Sequence, residues 1–449
     1  MAITINQEPT TPNIANADLL YSVSSNRSSL PQYQFVVDIK DASNTLIQRI
    51  KQQPNPSSYG VFNIGHILTT QLGPTDNVWE TSTVASNTAC GKDFKVYFGE
   101  EYGTSVSSSV TLYSGNSDVV GAPAKTGSTP FYFNLDGHLN PNDAVNWNWD
   151  SGSKYDEEDA ADDSVFQHQN GLTAFNTQSV YLGDYGTISF LNGNLNGNPD
   201  AVNAQNVFAA IYKFYDSAGS QIGSNQIIYN ETIYNNPAAE FWGNVYTSQS
   251  EATRLVHFPT GPQNIVDAGI NNVTSSAYYT INFCQQATDV EPYEDGSFGK
   301  YRFEIGECSG FDPVRFAWKN QYGVWDYFNF TKATNRTSAI TRESYNQTFV
   351  DFSTTSNSVS YDKARRGKTN YYNEITKNRQ ANSDWLSQTE ADNLREMFFS
   401  TNVYVYTDSS WIPVVLTDAN ITEKTNNLSQ KTFQYTVNYN HANEVRPRV

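Results

Sequence analysis

The stretch YQFVVDIKD, Tyr33 to Asp41, sets Tyr33, Phe35, Val37 and Ile39 on one side of an extended chain and Gln34, Val36, Asp38 and Lys40 on the other. Side chains of a strand alternate with a period of two, so this spacing predicts a β-strand with one clearly apolar face. LLYSVSS before it and TLIQRIKQQ after it also read as strands, with the polar stretches NRSSLPQ and ASN as turns. Pro54 and Pro56 end the run, and YGVFNIGHILTTQL beyond them fits either a further strand or a short helix. KDFKVYFGEEYG, Lys92 to Gly103, alternates Phe94, Val96 and Phe98 with polar neighbours and predicts a half-exposed strand. Residues 1–130 therefore read as an N-terminal β-sandwich.

The same punctuation continues downstream. SVYLGDYGTISFLNG, NVFAAIYKFYDSAGSQIGSNQIIYN, RLVHFP, AYYTINFCQQ and KYRFEIGE are short strand patterns divided by Gly and Asn, with DSAGSQ as a hairpin connection. They define a central β-domain over 176–300 and lead into a C-terminal module over 301–449. Between the first two regions, residues 131–175 form an irregular excursion that combines turn formers, Trp147, Trp149 and a dense acidic run. The C-terminal module carries a helix, TEADNLREMFFS, Thr389 to Ser400, expected to be capped by Thr389 with Asp392 three positions on. Two strands and a turn follow from NVYVY, and QKTFQYTVNYNHA closes the chain with Phe433, Tyr435, Val437 and Tyr439 on one face. No repeat of fixed period and no heptad run interrupts this pattern.

The fold class is thus mainly β, with multiple sandwich-like domains and one short helix near the C-terminus. Composition agrees: 14% aromatic against 16% charged residues, with Tyr and Phe abundant, favours strands joined by polar turns. A length of 449 residues exceeds one ordinary core and implies two to four domains. A net charge of -18 repels phosphate backbones, so nucleic acid is not an expected partner. The start of the sequence has no basic region followed by an apolar one, and nowhere do eighteen apolar residues run together, which points to a chain made in a cytoplasm without membrane insertion. Cys90, Cys284 and Cys308 suit neither a disulfide framework nor a zinc site, although Cys284 with Cys308 remains a possible pair.

Chemistry-bearing patterns are sparse. The run Asp156, Glu157, Glu158, Asp159, Asp162, Asp163 offers oxygen ligands for calcium but lacks the spacing and Gly of an EF-hand loop, and reads first as a solvated acidic loop. His66, His138, His168, His257 and His441 are scattered, with no metal-binding spacing, no Gly-x-Ser-x-Gly elbow and no phosphate-cradling loop. No carboxylate pair is singled out for glycoside hydrolysis. No catalytic residue, metal or cofactor is therefore nominated. The basic run Lys363, Arg365, Arg366, Lys368 reads as a protein contact or a solvated loop ahead of a nucleic-acid grip. Trp147 and Trp149 are interface or glycan contacts or local packing; Trp325 and Tyr327 are interface or glycan contacts or core.

KYRFEIGECSGFDPVRFAWKNQYGVWDYFNFTK, Lys300 to Lys332, contains Trp318, Asn320, Gly323, Trp325, Asp326, Phe328 and Phe330 in the order W-x-N-x-x-G-x-W-D-x-F-x-F. This element, the closing helix-and-strand pattern, and the opening NQEPTTPN, YQFVVDI and PNPSSYGVFNIGHIL resemble virion structural proteins of tailed bacteriophages, of the tail, baseplate or neck-ring type. The resemblance implies a non-enzymatic virion component made in the host cytoplasm. It implies assembly as a homo-oligomer, with copies of itself and other virion structural proteins as partners. An adhesin or tail-tip protein that binds a receptor or a host-surface glycan is the alternative.

Overall fold

The computed structural model describes residues 3–9, 13–15, 18–72, 77–86, 91–103, 111–112, 126–128, 131–133, 171–173, 175–191, 207, 209–232, 255–284, 300–306, 310–321, 323–348, 350–361, 367–418 and 433–443. Strands dominate them, arranged in several sheets. The chain divides into two compact units, Met1–Glu307 with Trp318–Tyr327, and Cys308–Ala317 with Phe328–Val449. Among the described residues no helix is long and apolar enough to cross a membrane.

The first unit holds two hydrophobic cores. In the N-terminal one, a three-stranded sheet in the order Ile3–Gln7, Leu20–Ser25, Tyr59–Asn63 shares its apolar residues with a larger sheet centred on Gln34–Asp41 and Gly91–Tyr102. Tyr21 and Phe62 meet Phe98 at ring separations of 5.2 and 6.1 Å. Phe35, Val37, Ile39, Phe94, Val96 and Phe98 all enter this core, as their alternation predicts.

The opposite face of Gln34–Asp41 departs from the expectation, because Val36 and Asp38 are buried too. Asp38 lies directly across from Arg49 in the antiparallel register, and the guanidinium closes on it through Nε at 2.5 Å and Nη2 at 2.8 Å. A paired carboxylate tolerates burial that an isolated one would not. YGVFNIGHILTTQL resolves as both alternatives in turn: the strand Tyr59–Asn63 and then helix α1, Gly65–Thr69.

The second core lies with a five-stranded sheet in the order Thr177–Val180, Lys300–Ile305, Tyr278–Cys284, Ala209–Tyr215, Gln226–Tyr229, and a three-stranded sheet in the order Thr187–Leu191, Leu255–Pro259, Ala85–Ser86. The boundary expected at residue 300 falls inside Lys300–Ile305, which pairs with Tyr278–Cys284. Asp216 turns the hairpin after Ala209–Tyr215, its Oδ1 accepting from the Ala218 and Ser220 amides at 2.9 and 2.8 Å. Helix α2, Pro262–Asp267, has no counterpart in the sequence reading, since six residues are too few to show a helical period. It is positioned by Gly261, where a Cβ would sit 2.4 Å from the Gly186 amide nitrogen. Buried Asn264 completes the joint, donating to the carbonyls of Trp79 and Thr81 at 2.7 and 2.8 Å and accepting from the Gly186 amide at 2.8 Å.

The second unit contains most of a seven-stranded sheet in the order Trp325–Phe330, Val314–Lys319, Val403–Thr407, Ser410–Leu416, Thr436–His441, Lys368–Asn382, Lys332–Asn346. Thr407 pairs with Ser410, and Asp408 and Ser409 between them both have positive φ, 51° and 58°, the two-residue turn that matches strand twist. Helix α3, Gln388–Phe399, buries Ala391, Leu394 and Met397. Its cap is Ser387 rather than Thr389: the Ser387 Oγ accepts from the Glu390 amide, and the Glu390 carboxylate accepts from the Ser387 amide at 2.8 Å. The helix begins one residue earlier than expected because Ser387 and Glu390 complete a reciprocal capping box.

Candidate functional site

Burial first removes two arrangements that look chemical. Ser189 Oγ lies 2.7 Å from His257 Nδ1, a pairing that in a cleft would suit a nucleophile and its base. Both residues are buried, and among the described residues the Nε2 of His257 has no hydrogen-bond partner, so no third group among them orients the ring. Burial also drives the imidazole pKa down from 6.5 to about 3, holding it neutral. Glu100 is similarly buried and accepts from Arg27, Ser25 and Tyr33 at 2.9, 2.7 and 3.1 Å; burial, ahead of these contacts, raises the Tyr33 pKa. Both clusters secure the interior of the first unit. Among the described residues no group of three or more His, Cys, Asp or Glu is placed to hold a metal ion.

The sequence-nominated residues fall into two groups. Trp325 and Tyr327 are 2% and 3% exposed in the folded chain, which is the core alternative. Trp325 packs edge-on against Trp79 at 4.9 Å, with Lys319 Nζ 5.6 Å from its ring centre, and the Tyr327 hydroxyl meets Thr187 Oγ1 at 3.0 Å. They belong to a tight hairpin in which Gly323 adopts a φ of 73° and donates to the Asn320 carbonyl. Asn320 Nδ2 bonds Asp326 and the Leu172 carbonyl at 3.0 and 2.7 Å. The W-x-N-x-x-G-x-W-D spacing is therefore a folding device, with Gly for the turn, Asn and Asp for the joint, and Trp for the core. Trp147, Trp149, Arg365, Arg366, Cys90, Cys308 and the acidic run 156–163 lie outside the described residues.

Among the described residues, the longest exposed element is one the sequence reading did not single out. Lys332–Asn346 and Lys368–Asn382 pair antiparallel along their length, each fifteen residues, or about 50 Å at about 3.3 Å per residue. Only Arg379–Asn382 is joined to a further strand, Thr436–Tyr439, so the rest is a two-stranded ribbon among the described residues. The Gln347 amide continues the ladder by donating to the Gly367 carbonyl at 2.8 Å. A second, short hairpin follows, Val350–Ser353 with Ser358–Tyr361.

Register gives the ribbon two chemically different faces. On one lie the pairs Arg336 with Arg379, Ser338 with Lys377, Ile340 with Ile375, and Arg342 with Asn373; on the other, Thr337 with Asn378, Ala339 with Thr376, and Thr341 with Glu374. Over these pairs the first face is cationic around an isoleucine pair, the second neutral to acidic. Arg336 and Arg379 are like charges directly opposite, an arrangement that costs stability in isolation. In the short hairpin Val350 pairs with Tyr361 and Phe352 with Val359, which gathers them on one face. Tyr361, Phe352 and Val359 are 72%, 62% and 59% exposed.

Charge separates this segment from the rest of the chain. Residues 332–382 contain nine Lys and Arg against four Asp and Glu, a net +5, while the whole chain carries -18, leaving -23 elsewhere. The signal available in sequence was KATNRTSAITRESYN itself, fifteen residues with Thr, Ile and Tyr but neither Gly nor Pro. No protein-family model matches the chain, and no curated protein matches it in sequence.

Proposed function

We propose that this chain is a non-enzymatic structural protein that works by assembly, and that the resemblance in its hairpin and closing elements assigns it to the virion of a tailed bacteriophage. The observation that carries the reading is the exposed ribbon with its apolar hairpin. A two-stranded hairpin alone in water is marginally stable, and exposed Phe, Val and Tyr on one face gain free energy only when something covers them. An element of this kind is suited to gripping a neighbour: each large side chain it buries contributes up to about 1.5–3 kcal/mol before the costs of association. Homo-oligomeric assembly, with other virion proteins as further neighbours, uses the ribbon in this way.

The test is electron microscopy with mass photometry of the full chain beside a variant in which residues 337–378 are replaced by Asn-Gly. Arg336 and Arg379 are directly opposed in the register, so a two-residue turn closes the truncated ribbon without shifting the sheet. The expected result is closed oligomers of fixed stoichiometry from the full chain and folded monomer from the variant. A full chain that stays monomeric, or a truncated chain that assembles equally well, contradicts the reading. In the monomeric case a glycan-binding screen takes up the adhesin alternative.

A further inference from the structure

The ribbon's partner is specified further by its two faces. We infer that the Arg336, Arg342 and Lys377 face seats on an acidic surface of a second copy of this chain; the inference rests on the assembly reading above. Register puts these three side chains on one side, all exposed, with Ile340 and Ile375 between them. The stretch of the opposite side directly behind them offers Thr337, Ala339, Thr341, Asn378, Thr376 and Glu374, with no positive charge among them; Lys332, at the end of the ribbon, is paired with Asp384. A solvated hairpin has no need to sort its charges by face, whereas a surface that docks on an acidic neighbour does.

The copy supplies its own complement. A segment of net +5 on a chain whose remainder is -23 is attracted to that remainder on another molecule, and each copy presents both signs. Head-to-tail contacts of this kind close into a ring when the rotation between neighbours permits. Arg336 adds to this face at its base, where carboxylates of a neighbour lying across from it form charge-assisted hydrogen bonds.

Two variants with the same charge change separate this from general electrostatics. R336Q/R342Q removes two positive charges from the cationic face, and T337E/A339E adds two negative charges to the other face, all at exposed positions. Sedimentation velocity of the full chain from about 50 to about 300 mM salt reads the self-association, whose attraction weakens as the screening length shortens. The expected result is a wild-type association that weakens with salt, a loss of about tenfold or more in R336Q/R342Q, and a T337E/A339E variant within about twofold of wild type. Equal weakening of both variants, or of neither, overturns the face assignment while leaving assembly standing. A wild type that stays monomeric at every salt concentration removes both readings. Tight binding of mixed-sequence duplex DNA that is lost in R336Q/R342Q makes nucleic acid the partner and overturns the inference.

Discussion

Two pairs of antiparallel strands in this molecule share a hydrogen-bonding scheme and differ in almost everything else. Ala209–Tyr215 with Tyr278–Cys284 lies in the second core of the first unit, where Ala210, Tyr212, Phe214, Tyr279, Ile281 and Phe283 are sealed from solvent. Lys332–Asn346 with Lys368–Asn382 in the second unit is paired over twice the length and is exposed along most of it. Backbone pairing therefore fixes geometry in both places, while only the first pair draws its stability from the side chains it buries. The second pair runs fifteen residues without that return.

The difference is broken most severely at Phe283, whose ring lies 4.4 Å from Phe190, 5.2 Å from Phe258 and 5.6 Å from Tyr301. Phe283→Ala is expected to lower unfolding free energy by about 3–5 kcal/mol in urea titrations, through lost transfer energy and the cavity left behind. A loss below about 1 kcal/mol would show that the interior pair is no better anchored than the ribbon.

The next effect is set by pH. The unfolded chain binds a proton at His257 below pH 6.5, whereas the folded chain resists until about 3, so stability is full above 6.5 and declines as pH falls through that window. The slope from this residue is about 1.4 kcal/mol per pH unit. Between about pH 7 and 4.5 the wild type is expected to lose about 2–3 kcal/mol more than His257→Gln in chemical denaturation. Parallel pH profiles for the two proteins would mean the imidazole is already solvated in the folded state.

Within the second unit, Ser387→Ala removes a cap and is expected to cost about 1 kcal/mol, placing helix α3 between the two extremes. Changes on the ribbon come last. T337E/A339E and Ile340→Thr are expected to move unfolding by no more than about 0.5 kcal/mol, because these side chains are already in water. A larger shift, read by the same denaturation, would place the ribbon inside the cooperative fold and erase the contrast.

These sensitivities track what the sequence disclosed. Strands with an apolar face were legible: Phe35, Val37 and Ile39, Phe94, Val96 and Phe98, and Phe433, Val437 and Tyr439 all lie buried as their alternation requires. Cross-strand partners were not legible, so Asp38 looked like a solvent-facing residue until Arg49 was found opposite it. The helix was found from Leu394 and Met397, but its cap was misplaced because Thr389 and Ser387 both precede acidic residues at the required spacing. The ribbon escaped for the opposite reason. Its strands alternate polar with polar, so hydrophobic periodicity, which reports burial, is silent on elements that stay outside. Its neighbour, the basic run with Arg365 and Arg366, was the one local hint that the segment differs in charge from the rest.

The joint at Asn264 also sets a schedule. Its hydrogen bond to the Trp79 carbonyl spans 185 positions, so at about 5–20 residues per second Trp79 leaves the ribosome roughly 10–40 s before its partner exists. The N-terminal core, drawn from residues between Ile3 and Phe98, is complete long before that and can close while synthesis continues. The second core waits for Tyr301 and Phe303, and until it closes its apolar strands remain open to association with the wrong neighbour.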